Sequence, residues 1–434
     1  MDKVTVIGAG LAGCEAANAA AGLGVEVDLI EMKPEKHSPA HKSDLFCELV
    51  CSNSLKAARI DSAAGLLKEE MRRLGSVCLS VADRCTVAAG GALAVDRDVF
   101  SAGVTEKIRS NKRINIITKT VTELPDNGVT VIATGPLTDE ALAYSIEEYC
   151  GQKSLSFFDA AAPIVTADSV DMNIAFTASR YLDGEGDYIN CPMNKEEYER
   201  FYNALITAET APVHGVDSKL RVYEGCMPIE VLAKRGSDSI RFGPMKPVGL
   251  RDPRTGHRPW AVVQLRRENS EGSLYNLVGF QTNLRFGEQK RVFSMIPGLA
   301  GAEFMRYGVM HRNSFIDSPR LLNKNLSLKK NEKILFAGQI SGVEGYMESA
   351  ASGIVAGINA AKKILGEKAV ILPDYTMIGA LLNFITDDTV ENFQPIGANF
   401  GILPPLENTI KNKRDRYAAL SKRALEFYDR GDIK

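Results

Sequence analysis

Two cysteines stand in settings suited to chemistry. Cys226 lies in Tyr223-Glu224-Gly225-Cys226-Met227-Pro228-Ile229-Glu230, between a glycine and a Met-Pro turn and beside two carboxylates, outside any periodic apolar run. Cys51 lies in Glu48-Leu49-Val50-Cys51-Ser52-Asn53-Ser54. Ser52, Asn53 and Ser54 are all good helix N-caps, so a helix following them would place Cys51 near a positive helix end and favour its thiolate. The competing reading of Cys51 is a buried, inert packing thiol. A thiolate in either place is a nucleophile able to form a covalent intermediate with an electron-poor carbon.

Such thiols need elements to position them, and the N-terminal stretch supplies the first. Lys3 to Ile7 is a short apolar run of buried-strand type, followed without a gap by Gly8-Ala9-Gly10-Leu11-Ala12-Gly13. An Ala-rich helical segment runs to about Ala21, and Val25 to Ile30 reads as a second strand ending at Glu31. This is the dinucleotide fingerprint in its required context of strand, glycine loop, helix, strand and terminal acid. Gly8 allows the tight turn, Gly10 lets the backbone approach a pyrophosphate, and Gly13 lets the helix pack closely on the strand. The helix N-terminus offers free N–H groups to phosphate, and Glu31 can accept hydrogen bonds from a ribose diol. A carboxylate there repels a 2′-phosphate.

Two further segments turn the reading from NAD towards FAD. A strand at Val129 to Ile132 closes in Ala133-Thr134-Gly135-Pro136, whose small residues let the loop pass close to a cofactor. Near the other end, Lys333 to Ala337 reads as a strand, followed by Gly338-Gln339-Ile340-Ser341-Gly342-Val343-Glu344-Gly345-Tyr346 and a small-residue helix over 348–361. Gln339 is placed for the ribityl chain, and the helix N–H groups for the isoalloxazine and pyrophosphate. The segments between are predicted as a packing helix over Ser62 to Leu74, strands across 76–95, a helix from Asp96 to about Arg109 and a strand over Ile114 to Thr120. Lys195 to Thr207 reads as a helix, and Trp260 to Leu265 and Leu274 to Thr282 as strands.

The expected architecture is therefore α/β: a Rossmann-type FAD-binding domain in two parts, residues 1–195 and 320–434, with a smaller α+β domain inserted at 196–319. Charge changes with it. From Lys234 to Arg320 there are twelve Arg and three Lys against seven acids, in a chain whose net charge is −2. Lys411, Lys413, Arg414 and Arg416 form a second cluster on a predicted C-terminal helix. Arginine's planar fork suits phosphate, so a polyanionic partner is expected, against the plainer reading of a solvated face. Arg266, Arg267 and Arg285 are the arginines expected to meet it. Eight cysteines without a C-x-x-C spacing argue against zinc sites and a disulfide framework. With no signal-peptide pattern and no long apolar run, a cytoplasmic protein without membrane or metal is expected, and no segment indicates a protein partner.

The fingerprint through Cys14-Glu15-Ala16-Ala17, the Val50-Cys51-Ser52-Asn53-Ser54 segment, the Gly225-Cys226-Met227-Pro228-Ile229-Glu230 segment and the Gly338 to Tyr346 loop together resemble the folate- and FAD-dependent tRNA (uracil-5-)-methyltransferases. The matches run in order over nearly the whole chain, and the two cysteine segments are the specific ones. The resemblance implies FAD as cofactor and 5,10-methylenetetrahydrofolate as the carbon donor. Its product is 5-methyluridine in the tRNA T-loop, with NADH or NADPH as reductant. It implies two essential thiols, Cys226 as the nucleophile on uracil C6 and Cys51 as the second, an assignment that the residues themselves leave open to exchange. Glu344 and Tyr346 are expected near the isoalloxazine or pterin, Tyr346 alternatively as a simple packing ring. The alternatives are the same chemistry on a ribosomal RNA uridine, a wobble-uridine flavoprotein, or a flavin-bearing RNA-binding protein without turnover.

Overall fold

The protein is described here from a computed structural model covering residues 2–125, 127–152, 155–180, 186–212 and 227–430; within these, the side chains of 155–159, 311 and 312 are left aside. Cys226, with Tyr223 to Gly225, falls outside the described residues, as do residues 181–185.

The first unit is built on a five-stranded parallel sheet in the order Ile334–Phe336, Val129–Ile132, Val4–Ile7, Val27–Glu31 and Ile114–Thr118. Val4, Val6 and Leu29 are fully buried, as expected for strands covered by helices on both faces. The chain leaves Val4–Ile7 towards one side of the sheet and later fills the other. The switch point therefore lies between Val4–Ile7 and Val129–Ile132, the place where open α/β sheets bind ligands at their strand C-termini.

Two helices close over that edge, Leu11–Gly22 from the fingerprint and Tyr346–Leu365. They pack backbone to backbone. A Cβ on Gly353 would lie 2.2 Å from the Ala12 carbonyl oxygen, and one on Gly357 would lie 2.3 Å from that of Ala16. The two halves of the nucleotide-binding sequence, over 300 residues apart, are thus fused into one wall.

The second unit is a six-stranded sheet in the order Phe176–Ala178, Tyr188–Met193, Ala261–Arg267, Leu274–Leu277, Ile164–Thr166 and Phe304–Arg306. Its core of Phe201, Phe280, Phe293 and neighbours is separate from that of the first unit. By sheet membership this unit begins upstream of residue 196, since three of its strands precede that position; 196 falls within the helix Lys195–Thr207. A two-stranded ribbon, Leu155–Ala160 with Met310–Phe315, joins the units.

Local expectations fail at three places. No helix follows Ser52-Asn53-Ser54: Ser54–Ala57 is a strand paired with Ala92–Val95, so the following helix expected to sit beside Cys51 is not formed. Within 76–95, expected to be strands, Val77–Ala82 is a helix. Ser76 caps it, and the buried Glu15 carboxylate accepts from the Val77 and Cys78 N–H groups at 3.0 Å. The helix thus has a local cap in Ser76 and a second acceptor from a residue sixty positions away. Finally, the strand from Leu274 ends at Leu277, because Gly279 takes φ +77 against Pro244.

Candidate functional site

The sheet's C-terminal edge opens into a cleft continuous with solvent. All three glycine motifs and Cys51 line it. The turn expected at Gly8 and the close packing expected at Gly13 are both present. Gly8 has φ +98, and a Cβ there would meet the Ala133 oxygen at 2.6 Å. At Gly13 a Cβ would meet the Gly8 oxygen at 1.7 Å. A Cβ on Gly10 would meet no atom within 4 Å, so the backbone is bared to the cleft. Gly10 caps Leu11–Gly22 without a side chain, and Gly345 does the same for Tyr346–Leu365. Two helices therefore present unsatisfied N–H groups to one glycine-lined space, a donor set that fits a dinucleotide's phosphates.

Ala9, Leu11 and Ala12 complete the cleft's floor. Glu31 is buried, its two oxygens accepting from the Ala9 N–H at 2.6 Å and the Lys33 N–H at 3.1 Å. Each oxygen keeps a second lone pair, so Glu31 holds the loop and still offers acceptors to a diol. Gly135, at φ +69, lies opposite the fingerprint. A Cβ on Gly338, at φ +83, would press on Ala12 at 2.9 Å. Gln339 faces the cleft and donates its amide N–H to Glu344 at 2.6 Å; Glu344 is buried behind it.

At the far end stands Cys51. The Tyr346 hydroxyl oxygen accepts from the Cys51 N–H at 2.8 Å and the Ser52 N–H at 3.3 Å, and lies 3.0 Å from the Cys51 Sγ. Burial, reinforced by the charge of Cys51, raises the Tyr346 phenol well above its ordinary range, so it stays neutral. Tyr346 is thus more than a packing ring.

Three guanidiniums clasp the loop that carries this thiol. Arg97, on the helix Arg97–Ser110, donates to Leu49 O at 2.6 Å and Val50 O at 3.2 Å, and pairs with the buried Glu268 at 2.6 Å. Arg306 also donates to Val50 O. Arg266 donates to Asn53 Oδ1 and Ser52 Oγ, both at 2.9 Å. Burial pushes Arg266 and Arg306 down from the usual arginine range, whereas Glu268 overrides burial at Arg97 and holds it up. Three guanidiniums against the one buried carboxylate of Glu268 leave a positive excess around the loop that carries Cys51.

The arginine-rich segment is consequently less available to a partner than its composition suggests. Arg266 and Arg306 turn inward, and Arg285 is exposed but paired with Glu209 at 2.8 Å. Arg254 pairs with Asp252, and Arg291 with Glu288. Lys246, Arg251 and Arg258 remain on the surface, as do Lys411, Lys413, Arg414 and Arg416 at the start of the helix Lys413–Asp429.

Arg97, Arg306 and the cleft residue Cys47 were not singled out by motif. Cys47 has φ +53 and donates its N–H to Ala9 O at 3.1 Å. Burial would push its thiol up, but hydrogen bonds from the Cys14 and Cys78 thiols and the Lys33 charge bring it down to about 5. It packs against the fingerprint loop, away from Cys51's clasp. Among the described residues no group of three or more His, Cys, Asp or Glu is placed to hold a metal, and no helix is long and apolar enough to cross a membrane.

Comparisons with known proteins agree with this geometry. The family model described as "GIDA: Glucose inhibited division protein A" matches residues 3–368. A protein of Acetivibrio thermocellus named methylenetetrahydrofolate--tRNA-(uracil-5-)-methyltransferase TrmFO is 58% identical over 98% of both chains. Relatives of the same name from Lactobacillus johnsonii and Halalkalibacterium halodurans are each 55% identical, over 98% of this chain and 97% of theirs. Two crystal forms of Aquifex aeolicus GidA share the fold with a TM-score of 0.69, at 15% and 17% identity. They cover 100% and 98% of this chain and 74% and 76% of those chains.

Proposed function

Because the chain belongs to the TrmFO family of methylenetetrahydrofolate--tRNA-(uracil-5-)-methyltransferases, we propose that it converts a T-loop uridine of tRNA to 5-methyluridine. Its carbon comes from methylenetetrahydrofolate and its electrons from FAD reduced by NADH or NADPH. The observation that carries this reading is the placement of Cys51 on the wall of the glycine-lined cleft, clasped by Arg97, Arg266 and Arg306 and touching Tyr346.

The residues divide the work. Gly8, Gly10, Gly13 and the two uncapped helix ends bind the cofactor's pyrophosphate; Glu31 takes the ribose, and Gln339 the ribityl chain. When bound, reduced FAD supplies the hydride that turns the transferred carbon into a methyl group, leaving tetrahydrofolate. Uracil C5 is a poor nucleophile until a group adds at C6, and a thiolate is suited to that addition. Cys226, on the segment entering the basic unit, is the proposed nucleophile. The Cys51 thiolate, steadied by the arginines, takes the C5 proton; elimination of the C6 thiolate then restores the ring. The uridine must be swung out of the folded loop, at a cost of about a few kcal/mol offset by pocket contacts. Surface cations such as Lys246, Arg251 and Arg258 meet RNA phosphates, giving salt-sensitive affinity. This work belongs in the cytoplasm.

The test is covalent trapping. The protein should bind flavin and form an adduct with a T-loop RNA carrying 5-fluorouridine, and mass spectrometry of the digest should find the link on Cys226 or Cys51. Full methyl transfer by both Cys226→Ser and Cys51→Ser variants would overturn the reading.

A further inference from the structure

The strand Met310–Phe315 belongs to neither large sheet. It threads between two loops of the cleft: the Ser314 N–H donates to Pro136 O at 3.0 Å, and the Ile316 N–H donates to Ile340 O at 2.9 Å. Asn313 is held at this passage. It is 3% exposed and lines the cleft. Among the described residues its carboxamide makes no hydrogen bond, although its neighbours' backbone groups are paired. The residue is buried on every side but the cleft, and its polar atoms are not cut off from that space, so their partner belongs to whatever fills it.

The chemistry of that partner follows from the side chain. A carboxamide offers N–H donors and a carbonyl acceptor in one plane. The complementary surface is an imide edge, –CO–NH–CO–, in which a ring N–H stands beside a ring carbonyl. We propose that Asn313 reads such an edge, donating to the carbonyl and accepting from the N–H. The inference rests on the flavin-and-uridine reading above, in which the isoalloxazine and the uracil carry the full imide, with a carbonyl on both sides of the N–H; the folate pterin has a carbonyl on one side only. A hydroxyl of the ribityl chain would need only a donor or an acceptor, a demand that Gln339 already meets nearby. An aspartate at 313 would offer acceptors alone and face a carbonyl with like charge.

The experiment uses full-length Asn313→Leu, close in volume, and Asn313→Asp, with circular dichroism as the folding check. Three quantities are read: FAD affinity, the midpoint potential of the bound flavin, and affinity for T-loop RNA with uridine or cytidine at the target. If the flavin edge is the partner, Asn313→Leu weakens FAD binding about tenfold, as for the loss of one hydrogen-bonded pair. Asn313→Asp weakens it further and makes the potential more negative, because a carboxylate opposes the charge gained on reduction. If uracil is the partner, flavin affinity and potential hold, while uridine RNA loses about tenfold and the preference over cytidine disappears. Folded variants that match the parent in all three overturn the proposal. If Asn313→Asp fails to fold, Asn313→Leu decides by the affinity and base-preference arms. A parent protein that binds no FAD would instead sink the flavin reading, leaving Asn313 to be judged by the RNA arm.

Discussion

The fingerprint loop and the Cys51 loop border the same cleft and are held by opposite means. The first is shaped by missing side chains: Gly8, Gly13 and Gly338 admit backbone or side-chain atoms where a Cβ would collide at 2.6, 1.7 and 2.9 Å. The second is shaped by three long side chains, Arg97, Arg266 and Arg306, two of them from the other unit. A cofactor bound by backbone groups needs steric access. The Cys51 loop instead takes its orientation and surrounding charge from side chains arriving from outside it. The difference also shows why arginine-rich composition overstated the RNA face, since part of that charge is spent inward.

The contrast can be broken at either loop. The largest effect is expected from Gly13→Val, which drives a side chain into the Gly8 carbonyl; overpacking of this kind costs about 3 kcal/mol or more. A colourless protein, read from the flavin absorbance per chain, is the expected result, and a yellow one would deny the packing role of Gly13. Next comes Arg97→Met, which strands the buried Glu268. Removing one partner of a buried ion pair costs roughly 3–5 kcal/mol, visible as a lower urea midpoint. The double variant Arg97→Met/Glu268→Leu should recover part of that loss while methyl transfer stays impaired. Equal stability of single and double variants would show that the pair is not coupled.

A third, smaller effect depends on pH. Burial raises Glu15 to about 7, against the pull of its hydrogen bonds from Ser76, Cys78 and Val77. The folded state therefore binds a proton that the unfolded state releases. The stability from this group is complete below the unfolded carboxyl range and is lost as pH rises through about 7, a change of about 3 kcal/mol. Glu15→Gln should flatten the urea midpoint between pH 5 and 8; an unchanged slope would assign the dependence to another group, such as Glu70, raised in the same way. The smallest effect is Arg285→Ala. An exposed pair of this type contributes about 0–1 kcal/mol, so the melting curve should hardly move, while loss of one phosphate contact should lower the salt slope of tRNA binding by about 0.9. Arg266→Ala should do the reverse, lowering stability more than it changes the salt slope. That pair of results would separate inward from outward arginines.

How far these loops could be read beforehand follows from the same contrast. The roles of Gly8, Gly10 and Gly13 were legible because the contacts that need them lie within one strand–turn–helix. Glu31 was legible by its distance from them. The two cysteine segments stood out as words rather than as geometry. Cys51 was expected beside a helix end, yet a strand follows it and arginines provide the cationic surroundings instead. The helix Val77–Ala82 was missed although Ser76 caps it locally, because the carboxylate that takes its first N–H groups belongs to Glu15, far back in the chain. Asn313 carries no motif at all; its isolation appears only once the ribbon is threaded between the Pro136 and Ile340 loops.

What this chain's residue order determined by itself is the parallel sheet, the glycine loops with their bared N–H groups, and so the class of ligand, because short-range sterics decide all three. The charge around Cys51, the inward turn of Arg266 and the unpaired amide of Asn313 were decided by the tertiary structure. Those properties depend on which groups share a low-dielectric interior, and residues separated by hundreds of positions become neighbours only when two sheets and a ribbon have packed.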